Sequence, residues 1–475
     1  MNLESSSLIV RPTYQATMGV KEEKPRKDIA SPWSFVPCSE FVYGLLRNYT
    51  GMFPSLIFKT LGASNAVVGF TYLLALPLGF NVFWAPVVER LGTHRSNFLR
   101  ALLLFAIWSL LLGSAFFLPL ESLWLPALLF FTASVILSVF DMSYLGFKVS
   151  ALSNSQLELF TGVGNAFFRM GVMAGSTFMV YLVGVAFDAS GDYRTAWAWI
   201  LTGASVFLFL AWLYLKLTLV YPPSDTGTKS KLTFSLYAQS FIEFIRQPRG
   251  LLITVYLFLT PFGEGLLAGM KTPFYIDPLA EGGLGMDLKA IGVMAPISTT
   301  TMILTGIFGG LIVRKFGLGR CLFPLGFLMF VPNIGIALLP LFQETAANHF
   351  DFVLFGGIEV EVYHWVWLAN LVEIAGYGLA FAAYLTFCAF LIKTGGHNKA
   401  TFAALVGSLT LVGYLTGGGI SGIVQENIGY FWTFTTSFLV SLPAWLMILA
   451  LPLRQIIERS QAADRQDVEV QDERS

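Results

Sequence analysis

Long apolar stretches separated by short polar segments run along most of the chain. The first six lie at 33–58, 66–88, 97–119, 123–147, 158–187 and 196–220. Six more lie at 250–275, 288–313, 320–342, 362–392, 399–424 and 429–453. A bilayer core is crossed by a helix of roughly 20 apolar residues, so each stretch predicts one transmembrane span, numbered 1–12 in chain order. No alternation typical of strands is apparent, and the pattern predicts an all-α polytopic membrane protein.

The polar segments divide the chain into two sets of six spans. The predicted parts are a disordered cytoplasmic tail at 1–30, a six-helix bundle at 31–220, a cytoplasmic linker at 221–249, a second six-helix bundle at 250–454 and a charged cytoplasmic tail at 455–475. Part of the linker, 234–244, has an amphipathic pattern that favours a position on the membrane surface.

Composition and charge placement support this topology. Only 12% of residues are charged, whereas an ordinary soluble domain carries about 25%. With the N-terminus inside, the outside segments collect only Lys59, Arg194 and Lys289, and the other basic residues at span ends lie inside. Basic residues concentrate on the cytoplasmic side of membrane proteins, so both termini are predicted to be cytoplasmic. The longest outside segment, 343–361, is acidic and is expected to be a loop.

The two halves resemble each other. The same offset of 224 residues separates Glu40 from Glu264 and Arg47 from Lys271. The segment after span 2 aligns with the segment after span 8 at an offset of 225. Two unrelated features at nearly one offset favour a duplicated six-helix unit, an arrangement found in two-halved transporters.

Seven ionisable residues fall inside predicted spans: Glu40, Arg47, Asp141, Arg169, Glu264, Lys271 and Glu373. A charge at the centre of the hydrocarbon costs at least ~2.5–3.5 kcal/mol on insertion scales, so such groups are expected to face water or a partner. All but Arg169 of span 5 belong to spans 1, 4, 7 and 10. Residues seven apart share a helix face but lie ~10 Å apart along the axis, so Glu40 and Arg47 need partners elsewhere.

Two interpretations of these charges remain open. In the functional one, the substrate is bound by Arg47, Lys271, Arg169 and Glu373, and a proton is taken up by Glu264, Glu40 or Asp141, with Glu373 a further candidate. Asp141 is also a candidate gate residue. In the structural one, the charges form salt-bridged struts between helices. Glycines cluster in spans 5, 8 and 11, where they favour close helix contacts, either sliding or static.

The segment after span 2 reads Glu89, Arg90, Leu91, Gly92, Thr93, His94, Arg95. It resembles the cytoplasmic signature of the major facilitator superfamily, which implies a gate role for Glu89, Arg90, Gly92 and Arg95. Ala85 and Thr93 depart from that signature, and Arg314 replaces the acid in the second copy. An ordinary positively charged inside loop is the alternative.

Longer stretches resemble the AmpG-like, muropeptide permease-like branch of that superfamily. They are 32–37, 61–65, 84–89, 264–273, 282–285, 376–378 and 419–429. The resemblance implies two six-helix bundles, alternating access and proton-driven uptake across a bacterial inner membrane. Span 1 reads Gly44, Leu45, Leu46 where the branch commonly has Gly-Leu-Pro. A small anionic or zwitterionic solute of muropeptide, sugar or peptide type is therefore expected.

Other chemistries find little support in the sequence. The three cysteines and four histidines have no metal-ligand spacing, and there is no Walker loop or nucleophile elbow. We therefore expect a monomeric, non-enzymatic protein with small-molecule and proton partners in a lipid bilayer, without cofactor, metal or nucleic acid. A non-transporting assembly factor or sensor of the same fold is the alternative.

Overall fold

The structure is a computed structural model of the chain. It describes residues 31–80, 91–118, 123–219, 221–222, 225, 241–354, 358–395 and 399–472. The predicted tail at 1–30, most of the linker and the signature residues Glu89 and Arg90 lie outside these ranges.

Six helical units make up the N-terminal half, and three of them contain a break or a turn of another helix type. They are α1 (Val36–Asn48 and Met52–Thr60), α2 (Asn65–Phe70, a 3-10 turn Thr71–Ala75, and Leu76–Gly79), α3 (His94–Ala115), α4 (Trp124–Ala151), α5 (Asn154–Met173, a π-helical turn Ala174–Met179, and Val180–Ser190) and α6 (Tyr193–Thr218).

The C-terminal half repeats this order. Its units are α7 (Gly250–Ile276), α8 (Leu288–Phe316), α9 (Leu318–Phe330, Asn333–Leu338, a 3-10 turn Leu339–Phe342, and Gln343–Ala346), α10 (His364–Lys393), and α11 and α12, which share the helical stretch Lys399–Met447. Gly429 has a φ of 76° and separates α11 from α12 at a kink. A last helix, α13 (Leu453–Asp472), carries the charged C-terminal segment.

The predicted fold class is confirmed. Nine helical stretches in the described ranges are long and apolar enough to cross a membrane, and one of them, 401–450, holds both α11 and α12. The interrupted α1 and the shorter apolar helix at 65–79 account for the other two units. The result is an all-α membrane protein of twelve helices in two six-helix halves.

A β-hairpin occupies the segment where the sequence predicts only a loop. Strands β1 (Phe350–Leu354) and β2 (Ile358–Val362) pair antiparallel, with Phe352 opposite Val360. The alternation Ile-Glu-Val-Glu-Val in β2 has the period of a strand, so the expectation that strand alternation is absent was wrong here. Five-residue strands are much shorter than the apolar stretches of about 20 residues that predict spans, so the pattern of spans gives no sign of them.

Glycines bring corresponding helices of the two halves into backbone contact. A Cβ atom on Gly44 of α1 would lie 1.9 Å from the carbonyl oxygen of Phe168 on α5, and one on Gly265 of α7 would lie 2.0 Å from that of Tyr414 on α11. The α1–α5 and α7–α11 contacts occupy the same places in the two halves. This equivalence supports the duplication that the sequence suggests.

The two ends of the helix bundle differ in charge. We call the end with Arg95, Arg100, Lys148, Lys216, Lys315 and Lys393 the basic end, and the end with Asp188, Asp192, Asp277, Asp287 and the β-hairpin carboxylates the acidic end. Near the acidic end the two halves touch directly. A Cβ on Gly69 of α2 would lie 2.9 Å from the backbone nitrogen of Gly422 on α11, and one on Gly292 of α8 would lie 3.0 Å from the carbonyl oxygen of Thr177 on α5.

Candidate functional site

Arg47 of α1 and Asp141 of α4 form the first charged group of the N-terminal half. One Arg47 Nη atom lies 3.2 Å from an Asp141 carboxylate oxygen. The Tyr43 hydroxyl donates to Asp141 at 2.5 Å and accepts from Arg47 at 2.5 Å. Tyr43 lies one helical turn before Arg47, so both reach the same face of α4. The side chains of Arg47 and Asp141 stay 32% and 22% exposed, which leaves the pair accessible to water.

Glu40 and Lys148 form a second pair between the same two helices. The Lys148 ammonium lies 2.5 Å from the Glu40 carboxylate, and both side chains are almost buried. The sequence places Lys148 on the inside face next to span 4, and in the structure it lies in the last turn of α4 with its side chain 12% exposed. Glu40 and Arg47 do not pair with each other, in agreement with their spacing on one helix.

The C-terminal half has an ion pair in the position that corresponds to Arg47 and Asp141. The Lys271 ammonium of α7 lies 2.7 Å from the Glu373 carboxylate of α10. Glu264, two turns earlier on the same face of α7, accepts a hydrogen bond of 3.2 Å from the side-chain amide of Asn333 on α9. Within the described ranges, no cationic group lies within 4.0 Å of the buried Glu264 carboxylate.

A cavity of about 350 Å³ lies between the two halves. Arg47 lines it from the N-terminal half and Lys271 from the C-terminal half, together with Tyr72, Tyr414, Ser55 and Ala268. The Tyr72 hydroxyl donates to the carbonyl of Ala268 at 3.0 Å, so α2 and α7 are joined at the cavity wall. The cavity therefore offers two cations, two phenols and a largely apolar remainder.

Arg169 of α5 is not among the residues that line this cavity. It is half-buried, and its Nε atom is buried without a hydrogen-bond partner. The guanidinium lies within electrostatic range of Tyr377 on α10, in the other half. Arg169 therefore faces the interface between the halves without lining the cavity of Arg47 and Lys271.

A buried polar network, which we call the acidic-end seal, connects the halves above the cavity. It consists of Lys59 of α1, Asn65 of α2, Asp277 after α7, Gln425 of α11 and Tyr430 of α12. The Asn65 amide donates to Asp277 at 3.1 Å, to Gln425 at 2.8 Å and to Tyr430 at 3.0 Å. Lys59 pairs with Asp277, and Tyr430 also donates to that carboxylate.

A second contact joins α2 to α11 at the same end. The backbone N–H of Ala66, at the start of α2, donates to the Glu426 carboxylate at 2.8 Å. Lys289 of α8 pairs with Asp188 of α5 at 2.9 Å, on the surface. Apart from the hydrogen bond between Tyr430 and Asp277 within the C-terminal half, the contacts named here cross from one half to the other.

The sequence does not single out these residues as functional. Lys59 enters only as an outside charge, and Asn65 only within a stretch of family resemblance. Asp277 and Gln425 lie at span ends, where polar residues are ordinary. The family resemblance gives a weak indication of these residues. Two of the stretches that resemble the AmpG-like branch, 61–65 and 419–429, each supply a residue to the seal.

The described part of the signature segment is anchored within the N-terminal half. The Arg95 guanidinium donates to the carbonyl of Leu219 at 3.1 Å and lies 3.7 Å from the Tyr221 ring centroid. The Asp225 carboxylate accepts the backbone N–H groups of His94 and Arg95, each at 2.8 Å. Gly92 adopts a φ of 133° just before α3. Arg95 therefore fastens the start of α3 to the end of α6.

The chain belongs to the Major Facilitator Superfamily, whose profile matches residues 38–403. The sequence-based family expectation is confirmed. The family is one of membrane transporters and not of enzymes, and the apolar helices described above fit a multi-pass membrane protein.

Individual relatives support the narrower resemblance at low identity. The "Putative transporter AmpG 2" of Rickettsia bellii (strain RML369-C) is 22% identical over 86% of this chain and 94% of the relative. The "Anhydromuropeptide permease" of Escherichia coli (strain K12) is 22% identical over 84% of this chain and 74% of the relative. In fold, the chain is similar to the crystal structure of a mutant of the nucleoside transporter NupG, with a TM-score of 0.64 and 15% identity over 88% of this chain and 98% of that one.

Proposed function

We propose that the protein is a secondary active transporter of a small anionic or zwitterionic solute, coupled to protons and working by alternating access. The observation that carries the proposal is the cavity between the halves, which Arg47 lines from one side and Lys271 from the other. A ligand that contacts both halves gains or loses contacts when the halves rock. Binding of the ligand is thereby linked to the side of the membrane to which the cavity opens.

The substrate class follows from the chemistry of the cavity walls. Guanidinium and ammonium groups bind carboxylates and phosphates through charge-assisted hydrogen bonds. Tyr72 and Tyr414 offer ring faces and hydroxyls on the same surface, which suit sugar or peptide groups. The name of the Escherichia coli relative, an anhydromuropeptide permease, supports a solute that combines such groups. We therefore propose muropeptide-, sugar- or peptide-like solutes that carry a carboxylate.

The basic end is proposed to face the cytoplasm of a bacterial inner membrane, with both termini inside. Lys and Arg at the basic end favour this orientation. In that orientation the acidic-end seal closes the cavity to the outside, and rocking of the halves would open it. Alternating access then requires the seal to break and re-form in each cycle.

Purified protein would be screened for thermal stabilisation by peptidoglycan fragments, sugar acids, dipeptides and organic acids, since a ligand that binds only the folded state raises the unfolding temperature. Any stabilising solute would then be tested, radiolabelled, for uptake into proteoliposomes. We expect uptake that depends on the protein, and accumulation of the solute inside the vesicles under an imposed pH gradient. Stabilisation without uptake would point to a non-transporting assembly factor or sensor and overturn the proposal.

A further inference from the structure

The second half has an alanine at a position where the first half has a cation. On α4, Asp141 and Lys148 are seven residues apart, and they pair with Arg47 and Glu40 of α1. On α10, Glu373 pairs with Lys271 in the place of Asp141. Seven residues after Glu373 stands Ala380, which is buried. Ala380 therefore occupies the position equivalent to Lys148.

Glu264 is the equivalent of Glu40 and is left without that lysine. The ionisable groups that face Glu264 are Glu373 and Tyr377 of α10, Tyr414 of α11 and, on its own helix, Lys271. From α9 it meets the Asn333 amide, and on α12 the Ser441 hydroxyl and the Ser437 backbone carbonyl lie against neighbouring Gly263. Arg169 of α5 approaches Tyr377 from the other half.

The net charge of the residues between α1 and α4 therefore differs from that of the equivalent residues between α7 and α10. Glu40, Asp141, Arg47 and Lys148 cancel, whereas Glu264, Glu373 and Lys271 leave one excess negative charge. Lys271 already contacts Glu373, so it offers Glu264 no direct pair. An unpaired carboxylate in a buried site is strongly disfavoured against its neutral form. Binding of one proton would remove the excess charge.

Asn333 is placed to serve both forms of that carboxyl. Its Nδ2 donates to Glu264, while its Oδ1 is buried without a hydrogen-bond partner. Turning the amide by 180° about its last bond would present Oδ1 to Glu264 as an acceptor for a carboxylic acid O–H. Asn333 itself is completely buried at the break in α9, directly after Pro332. A side chain that can donate to the anion and accept from the acid suits a carboxyl that changes its protonation state.

Resting on the proposed function, we propose that Glu264 is the proton-coupling carboxyl of this protein and that Asn333 is its positioning residue. Because Ala380 stands where the N-terminal half has Lys148, Glu264 has no equivalent lysine to hold it in the charged form. An O–H bond forms on a Glu264 oxygen with a proton from water on one side of the membrane. It breaks on release of that proton to water on the other side, and no further reactant is needed. The buried Glu40–Lys148 pair of the N-terminal half then acts as a fixed brace between α1 and α4.

The test measures protonation first, without any solute. Full-length protein in lipid nanodiscs would be titrated with pH, and the carboxylic acid C=O band would be followed by difference infrared spectroscopy. The other carboxyl groups of the protein also titrate, so each variant would be compared with the wild type by subtraction. One component of the band should be missing in Glu264→Gln and should move to lower pH in Ala380→Lys, whereas Ala380→Leu, which adds bulk without charge, should keep it. Titration curves of the wild type and Glu264→Gln that subtract to zero, or equal behaviour of the two Ala380 variants, would overturn the assignment.

A second measurement uses a solute identified by the thermal screen. In proteoliposomes, Glu264→Gln should exchange labelled for unlabelled solute but should no longer accumulate it above the external concentration under a pH gradient. Retained accumulation would reject Glu264 as the coupling group. If no solute is transported by the wild type, the proposed function fails while the infrared result still decides the protonation of Glu264. The two failures are therefore distinguishable.

Discussion

Lys59 at the end of α1 pairs with Asp277 just after α7, and this ion pair joins the two halves of the protein at the acidic end. Both side chains are nearly buried, with exposures of 10% and 3%. Asn65, Gln425 and Tyr430 complete its surroundings with hydrogen bonds. In the proposed cycle these contacts would exist only while the acidic end is closed, so their strength would help to set the fraction of closed molecules.

Asp277→Asn should therefore shift the protein towards an open acidic end. Removing one partner of a buried ion pair typically costs about 3–5 kcal/mol, because the other charge stays buried and unpaired. The measurement is labelling of a cysteine introduced at Ala268, a cavity residue, by a membrane-impermeant thiol reagent added at the acidic end, in a background without the three native cysteines. Labelling should rise at least about tenfold, which corresponds to about 1.4 kcal/mol. Arg194→Gln, which disturbs only a local surface pair with Asp192, is the control and should leave labelling unchanged.

Gly422→Ala should prevent the acidic end from closing. A Cβ at this position would lie 1.7 Å from the carbonyl oxygen of Asn65, a contact that the backbone of α2 must move to relieve. We expect the Ala268 cysteine to become as reactive as in Asp277→Asn, and transport to be lost. Gly407→Ala on the same helix is the control, because nothing lies within 4 Å of the added carbon. Normal transport by Gly422→Ala would show that the α2–α11 contact is not needed for the cycle.

Glu40→Gln should destabilise the folded protein. The change leaves the Lys148 ammonium buried without an anion, and about 3–5 kcal/mol is a typical loss for such a pair. Thermal unfolding in detergent should show a clear fall in the unfolding temperature. The double variant Glu40→Gln/Lys148→Met removes both charges and should recover much of it. Glu458→Gln, in the exposed pair with Arg454, should have no measurable effect; an equal effect of the two Gln variants would argue against a buried brace.

Removing a cavity cation should weaken binding of an anionic solute. Arg47→Gln and the double variant Lys271→Gln/Glu373→Gln each remove a cavity cation, and the second also removes the carboxylate that pairs with Lys271. A hydrogen bond to a charged group is worth about 1.5–3 kcal/mol, so affinity should fall about 10- to 150-fold. Affinity would be measured by thermal shift against solute concentration. Ser55→Ala, in the same cavity wall, serves as the control, and unchanged affinity in both charge variants would rule out the two-cation clamp.

Helix count and charge placement could be predicted from the sequence because both depend on local pattern. Apolar length gives the spans, and the seven-residue spacing of Glu40 and Arg47 shows that they share a face without touching. The identity of their partners could not be predicted, since it depends on which face of α4 turns towards α1. Lys148 is an example: in the sequence it is one more basic residue at the inside end of a span, and nothing in its position indicates that it pairs with Glu40.

The acidic-end seal could not be predicted for a different reason. Its members come from five helices, and single polar residues near span ends carry no periodic signal. Only the close approach of α2 and α11, which Gly69 and Gly422 permit, brings Asn65 to Gln425. The β-hairpin shows a third limit, because its alternation is present in the residues but extends over five positions in each strand.

Asp225 holds the first turn of α3 by two backbone hydrogen bonds and is itself buried. The chain is thus still fastened to the N-terminal half several residues after α6 has ended. At the other side, Phe244 is 1% exposed and packs against Phe402 of the C-terminal half. Insertions placed before Asp225 would therefore disturb the N-terminal half and insertions placed after Phe244 the C-terminal half, so in the proposed cycle the connection that accommodates the rocking lies between these two residues.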